Sequence, residues 1–220
     1  MPLSQMNSIE ELNDQSVAVL LYPSGASGEF LGYALTESFP AFTKTHQHWE
    51  NISRCKFFDY FNRCLTSGLD PVPPAEVIAG IQLYYSKNTI ADISMGLSHI
   101  DKPSLNFLKQ YCNNLPTIEI VTRKEISKRF RVIAANSKIS AEDRQGKDNE
   151  SWMYEHSYYR CNNQLQVEWA DLLLTDTVNS FKEIENFLGL QGSVNKFTDM
   201  VADYLERNKK IFSDLNQSSP

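Results

Sequence analysis

The residues best suited to bind an anion form a short loop of small side chains near the start of the chain. Small residues let the backbone approach a ligand closely, and a helix beginning near Gly28 would point its N–H groups at a negative charge. Such a loop solvates a phosphate without a metal cation. The same residues also fit an ordinary strand-to-helix turn capped by Ser27. The candidate anion-binding residues are Ser24, Gly25, Ala26, Ser27, Gly28 and Glu29.

A second group suited to phosphate is Arg123, which follows an apolar, β-branched run. A planar guanidinium at the end of a strand can bind a terminal phosphate through two hydrogen bonds, and the N–H groups of the next helix add partial positive charge. Two serines, Ser127 and Ser137, lie in or after that helix, and Ser127, one turn along it, is the preferred hydroxyl partner. The alternative is an ion pair between Arg123 and a carboxylate such as Glu119 or Glu125.

The chain has four histidines, and His99 is the candidate general base. A neutral imidazole can take a proton from an attacking hydroxyl near pH 7. His99 ends the segment Met95-Gly-Leu-Ser-His, directly upstream of the unit that carries Arg123, and Lys102 lies just beyond it. His46 is the second candidate for the base.

The elements that must position these residues alternate between strands and helices along the chain. This order favours a parallel sheet with helices on both faces, so we predict an α/β fold of three layers. Loops after parallel strands meet at one sheet edge, so the segments after Tyr22, Met95 and Thr122 should converge. The predicted strands are Val17–Tyr22, Thr89–Met95 (ending at Gly96), Thr117–Thr122 and Gln164–Trp169; the predicted helices are Glu29–Ser38, Ala75–Ser86, Pro103–Asn113, Lys124–Lys138, one from Asp176 or Thr177 to Gly189, and Val194–Phe212.

A chain of 220 residues with 41% hydrophobic content can bury one substantial core, so we predict a single domain over residues 1–220. Residues 43–74 are aromatic-rich and end in a proline-rich stretch, which favours an insertion. Residues 139–151 are polar and charged, which favours a mobile loop.

Composition and charge argue against nucleic acid, metal ions and membranes as partners of this protein. The formal charge of −6 argues against a general nucleic-acid binder. The four cysteines form no CxxC pair and have no histidines at zinc spacing, so no metal site is predicted. The first residues lack a basic start and an apolar core, and no apolar run near them approaches the ~20 residues of a membrane span. We therefore expect a cytoplasmic protein without a membrane partner.

Three segments, taken in order, resemble the sulfotransferase family. The segment Pro23-Ser-Gly-Ala-Ser-Gly-Glu-Phe30 is similar to the family's 5′-phosphosulfate loop, and Ile118-Glu-Ile-Val-Thr-Arg123 is similar to its 3′-phosphate segment. Val167-Glu-Trp-Ala-Asp-Leu172 followed by Ile184-Glu-Asn-Phe-Leu-Gly-Leu190 resembles its late strand and the Phe-Leu-Gly end of its next helix.

The resemblance implies a P-loop-like fold and a transfer of sulfonate from 3′-phosphoadenosine 5′-phosphosulfate (PAPS) to a hydroxyl or amine of a small molecule or glycan. Residues 24–29 would hold the 5′ end of this co-substrate, and Arg123 with Ser127 would hold its 3′-phosphate. His99 would be the catalytic base. No metal is implied.

The chain departs from the family at two positions. Ser24 replaces the lysine that neutralises the bridging oxygen of the donor, and Lys102 is the candidate substitute. Glu29 would repel a phosphate unless it points outward. These departures leave open a noncatalytic relative that binds a nucleotide or a protein partner. A P-loop kinase is a weaker alternative, because the Gly-Lys-Ser/Thr signature is absent.

Overall fold

The computed structural model describes residues 17–23, 26–42, 94–99, 115–129 and 162–217. The predicted insertion at 43–74, the predicted mobile loop at 139–151 and the predicted helices Ala75–Ser86 and Pro103–Asn113 lie outside these ranges. The elements are β1 (Val17–Tyr22), α1 (Gly28–Ser38), β2 (Ser94–His99), β3 (Thr117–Val121), β4 (Gln164–Glu168), a π-helical turn (Asp171–Thr175), α2 (Thr177–Leu188), α3 (Val194–Arg207) and α4 (Lys209–Gln217). Residues 125–129 are also helical.

The strands form one parallel sheet in the order β2-β1-β3-β4. The register aligns Tyr22 with His99, so β1 and β2 end level with each other. On the other side of β1, Leu20 lies beside Ile118 of β3. A parallel sheet with helices confirms the α/β class that the alternation of elements predicts.

Both faces of β1 are buried, which explains why apolar and polar residues do not alternate along its sequence. Leu20 and Tyr22 join the hydrophobic core shared with the helices, while Val19 and Leu21 face the other way and are also buried. A parallel strand covered on both sides reads as a continuous apolar run. The same core includes Ile118 and Ile120 of β3, Val167 of β4, and residues of α1, α2 and α3.

The predicted end of the second strand is wrong. The sequence suggested a strand that stops at Gly96, whereas β2 runs from Ser94 to His99 and pairs Gly96 with Val19 of β1. Glycine weakens a strand only modestly, and continuous pairing with the central strand outweighs that cost. His99 is therefore the last residue of a strand instead of part of the following loop.

The prediction of one continuous helix over Val194–Phe212 is wrong. This segment breaks at Asn208 into α3 and α4. The backbone N–H of Asn208 donates to the Tyr204 carbonyl at 3.1 Å, and its side-chain Nδ2 donates to the same oxygen at 2.9 Å. This local side-chain bond competes with helical continuation. By contrast, α2 ends as predicted, because Gly189 adopts a left-handed φ of 64°.

Three phenylalanines join the helices into one layer. Phe39, just after α1, lies 5.0 Å from the Phe181 ring of α2, and Phe181 lies 4.9 Å from the Phe197 ring of α3. All three side chains are fully buried. Aromatic pairs at this spacing stabilise a core beyond the area that they bury. This cluster fixes α3 against α1.

We expect Phe181→Ala to lower the free energy of unfolding by about 3–5 kcal/mol, because it removes the central ring of this cluster and leaves a cavity. Val178→Ala on the same helix is the matched control, since Val178 is 43% exposed. Chemical denaturation should show a change within about 0.5 kcal/mol for the control. Equal losses for both variants would contradict the assignment of Phe181 to the core.

Candidate functional site

The loop after β1 makes a tight turn at the end of the strand. The Ala26 N–H donates to the Pro23 carbonyl at 3.0 Å, and the Ala26 side chain is fully buried. Ser24 and Gly25 lie outside the described residues. The turn brings the chain directly from the end of β1 into the first turn of α1.

Ser27 occupies the N-cap position of α1 in an unusual conformation. It is the one non-glycine residue with a positive φ in the described part of the chain, at φ 56° and ψ 25°. Its carbonyl accepts the Leu31 N–H at 2.9 Å, but its side chain caps no N–H group of the helix. The Ser27 Oγ lies instead 2.7 Å from the Tyr204 hydroxyl of α3. The side-chain cap considered from the sequence is therefore absent at Ser27.

Gly28 is required by packing. A Cβ at this position would lie 2.0 Å from Cγ of Tyr22, the last residue of β1. Tyr22 is itself buried in the core, so the ring cannot move aside cheaply. The sequence predicts that Gly28 lets the backbone approach a ligand; close contact with Tyr22 is a further reason for glycine here.

Tyr204 of α3 contacts both the loop and the first turn of α1. Its ring stacks on Phe30 of α1, with centroids 4.0 Å apart and planes 10° from parallel. Burial raises the pKa of the Tyr204 phenol, and the hydrogen bond to Ser27 opposes this in part. Sequence reasoning missed this residue, because a tyrosine on the apolar face of an amphipathic helix is indistinguishable from ordinary core.

The strand order brings the predicted site segments to one edge of the sheet. β1 lies between β2 and β3, so the loop after Tyr22 is flanked by the end of β2 at His99 and the end of β3 before Arg123. With a strand spacing of ~4.8 Å, β2 and β3 are roughly 10 Å apart. Lys102 and His46 lie outside the described residues.

Arg123 is exposed just beyond β3. Its Nη2 donates to Oε1 of Gln166 on β4. Gln166 in turn donates from Nε2 to Oε2 of Glu119 at 2.7 Å, so the amide bridges the guanidinium and a carboxylate that is 3% exposed. Among the described residues Arg123 forms no ion pair with Glu119 or Glu125, which were its alternative partners.

Glu168, the last residue of β4, holds the chain around Arg123 in place. Its Oε2 accepts the Arg123 backbone N–H at 2.8 Å, and its Oε1 accepts the Lys124 N–H at 3.4 Å. The Ser127 hydroxyl donates to the same Oε1 at 2.5 Å and accepts the Ala170 N–H at 3.2 Å. Ser127 is thus buried and engaged with protein groups at both its donor and an acceptor position.

Glu168 and Gln166 are functional candidates that the sequence pattern does not indicate. Their roles depend on which strand lies beside β3, and a single sequence does not specify that neighbour. The one available signal was a carboxylate at the end of a predicted strand. Nearby, Lys124 pairs with Asp171, and this bond together with one from Thr175 lowers the Asp171 pKa.

A scan against protein-family models matches none, and a search of curated proteins finds no match. The described residues contain no group of three or more histidine, cysteine, aspartate or glutamate side chains arranged to hold a metal ion. Across the same ranges, no helix is both long enough and apolar enough to span a bilayer.

We expect Gly28→Ala to destabilise the protein by about 1–3 kcal/mol, because the added methyl would overlap the Tyr22 ring. Gly189→Ala is the control: its Cβ would meet no atom within 4 Å, so only the left-handed backbone is penalised, by about 1–2 kcal/mol. Tyr22→Ala removes the atoms that the new methyl would overlap, so Gly28→Ala should cost less in the Tyr22→Ala background than in the wild type, whereas the cost of Gly189→Ala should be the same in both. Urea denaturation of the three single and two double variants decides this.

The raised pKa of Tyr204 predicts a loss of stability in alkaline solution. Its protonated form is favoured in the folded state, so its contribution is complete below the ordinary tyrosine pKa of about 10 and is lost as pH rises through the higher folded value. The free energy of unfolding should therefore fall more steeply above about pH 10 in the wild type than in Tyr204→Phe. Parallel curves for the two proteins would contradict this prediction.

Proposed function

We propose that this protein is a sulfotransferase, which moves sulfonate from PAPS to a hydroxyl or amine of a small molecule or glycan. The observation that carries the proposal is that β2, β1 and β3 are adjacent parallel strands, so their ends lie at the same edge of the sheet. The small-residue loop after β1 lies between the end of β2, which carries His99, and the end of β3, which precedes Arg123. This is the crevice where open parallel sheets bind ligands.

The 5′ end of the donor would lie at the N-terminus of α1. Residues 26–29 lie at this position, and the first-turn N–H groups of a helix favour a negatively charged group. The tight turn closed by Ala26 keeps the backbone close to the strand end. In this proposal Ser24 and Gly25 contact the phosphosulfate from the turn.

The 3′-phosphate would be held by Arg123. Within the described residues only Nη2 of its guanidinium is engaged, by Gln166, and the side chain is exposed. The remaining N–H groups suit a phosphate, because a guanidinium offers five donors in a fixed plane. Ser127 would join the phosphate only by giving up its bond to Glu168.

The proposed reaction is an in-line displacement at sulfur. The acceptor oxygen or nitrogen attacks, a bond to sulfur forms, and the bond between sulfur and the bridging oxygen breaks. 3′-Phosphoadenosine 5′-phosphate leaves with the electron pair, and His99 takes the acceptor's proton as general base. Lys102 would stabilise the charge that develops on the leaving oxygen.

A noncatalytic relative that binds the nucleotide is the second candidate function. Two observations favour it: Ser24 stands where a lysine would neutralise the leaving oxygen, and the Ser127 hydroxyl is already engaged within the protein. This candidate predicts nucleotide binding without chemistry. A P-loop kinase is disfavoured, because the sequence has Gly28-Glu29-Phe30 in place of a Gly-Lys-Ser/Thr signature.

Calorimetric titration with 3′-phosphoadenosine 5′-phosphate tests the donor site. We expect binding by the wild type and a loss of about ten- to a hundredfold in affinity for Arg123→Ala, the equivalent of about 1.5–3 kcal/mol for charge-assisted hydrogen bonds. Arg207→Ala is the control, because this exposed arginine of α3 pairs with Asp203. Absence of binding by the wild type would refute the proposal.

Transfer of labelled sulfonate from PAPS to a panel of hydroxyl and amine acceptors separates the two candidate functions. His99→Ala should retain nucleotide binding and lose transfer. Binding without transfer to any acceptor would favour the noncatalytic relative.

A further inference from the structure

We propose that Gln166 of β4 is a positioning residue for the donor site, because its side chain holds the Arg123 guanidinium in place before a phosphate binds. This inference rests on the proposed function, in which Arg123 receives the 3′-phosphate of the donor. Glu119 of β3, whose carboxylate accepts a hydrogen bond from the Gln166 amide, orients Gln166 in turn. The phosphate site thus depends on two side chains that would not touch the ligand.

The first support is the position of these residues in the sheet. Glu119 lies directly beside Gln166 in the parallel register of β3 and β4. Residues next to them along their strands, Ile118 and Val167 among them, belong to the hydrophobic core. Because successive side chains of a strand point to opposite faces, Glu119 and Gln166 lie together on the other face. Their contact is therefore set by two paired strands and does not depend on a loop.

The second support is that the Gln166 amide can take one orientation between its partners. Its Nε2 donates to Oε2 of Glu119 at 2.7 Å, and its Oε1 accepts from Nη2 of Arg123. A carboxylate only accepts hydrogen bonds and a guanidinium only donates them, so turning the amide over would break both contacts. Glu119 is 3% exposed, so the carboxylate that orients Gln166 is itself enclosed by the protein.

The third support is a difference between the two cations that follow β3. Lys124 forms an ion pair with the carboxylate of Asp171. Within the described part of the chain, the Arg123 side chain bonds instead to the neutral amide of Gln166. A neutral acceptor orients a guanidinium and leaves its charge uncompensated. Arg123 therefore keeps the positive charge that a phosphate requires, together with the N–H groups that Gln166 does not use.

The orientation of Arg123 affects affinity because a long side chain has many rotamers. Arg123 is exposed, so without Gln166 its guanidinium would move freely in solvent. Ligand binding would then have to order it, and this loss of freedom reduces affinity. With the hydrogen bond to Gln166, part of the ordering is already present in the ligand-free protein.

A double-mutant cycle on the affinity for 3′-phosphoadenosine 5′-phosphate, measured by calorimetry, tests this role. Gln166→Leu keeps the bulk of the side chain and removes the acceptor. We expect it to weaken binding about three- to tenfold, the equivalent of ordering one long side chain on binding. In the Arg123→Ala background the same substitution should change affinity less than about twofold, since Gln166 acts through the guanidinium.

Gln164→Leu is the matched control. Gln164 lies two residues earlier on β4, and its Nε2 donates to the same oxygen of Glu119 at 2.5 Å. The variant therefore also removes a hydrogen bond from Glu119 but leaves the bond between Gln166 and Arg123 in place. Its affinity for the nucleotide should stay within about twofold of the wild type.

Adenosine 5′-phosphate, which lacks the 3′-phosphate, separates positioning from a general role in the fold. We expect it to bind the wild type and Gln166→Leu equally, because it offers Arg123 no phosphate. Equal losses of affinity for both nucleotides would overturn the proposal, since Gln166 would then act through the fold.

Two further outcomes of the cycle would overturn the proposal. Unchanged affinity for 3′-phosphoadenosine 5′-phosphate in Gln166→Leu would mean that Arg123 needs no positioning. An equal effect of Gln166→Leu with and without Arg123 would mean that Gln166 acts independently of the guanidinium. The free energies of unfolding of all the variants show whether a loss of affinity merely follows a loss of stability.

Rotation of the Arg123 guanidinium in the ligand-free protein, measured by NMR of its side-chain nitrogens, tests the positioning without a nucleotide. Rotation should be slower in the wild type and Gln164→Leu than in Gln166→Leu, because a hydrogen bond at Nη2 opposes it. If the wild type binds no nucleotide, the proposed function fails, while slowed rotation would still support the interaction of Gln166 with Arg123. Equally fast rotation in the wild type and Gln166→Leu refutes that interaction whether or not nucleotide binds.

Discussion

Strand β1 pairs with β2 on one side and β3 on the other, and the rest of the candidate site depends on this double pairing. Because Tyr22 is level with His99, the end of β2 flanks the loop that leads into α1. Because Leu20 lies beside Ile118, the chain beyond β3 emerges on the loop's other flank. The sheet register, more than any single side chain, determines which residues can act on one ligand.

The helical layer determines how the loop itself is shaped. Gly28 fits against the Tyr22 ring, Phe30 stacks on Tyr204, and Ser27 reaches the Tyr204 hydroxyl. Each contact joins the end of β1 or the start of α1 to another element of the core. The loop conformation is therefore a result of tertiary packing, and local turn chemistry alone would have given Ser27 an ordinary cap.

The parts of the fold that sequence patterns predict well are those governed by local chemistry. The apolar run of β1 and the left-handed Gly189 at the end of α2 are examples. Gly96 does not end β2, because pairing with Val19 outweighs the weak strand preference of glycine. Asn208 interrupts the last predicted helix, because its side-chain amide donates to the Tyr204 carbonyl. The roles of Gln166 and Glu168 were not accessible from sequence, since both depend on the neighbour of β3 in the sheet.

The bond between Ser27 and Tyr204 joins residues 177 positions apart. During synthesis the loop leaves the ribosome long before α3 does, so its left-handed serine lacks this partner while most of the chain is still being made. Contacts of such high sequence separation form late, after the loop-closure entropy has been paid by other interactions. The order of translation thus delays completion of the loop until the α3 segment has docked, and a nascent chain would lack the finished loop geometry until then.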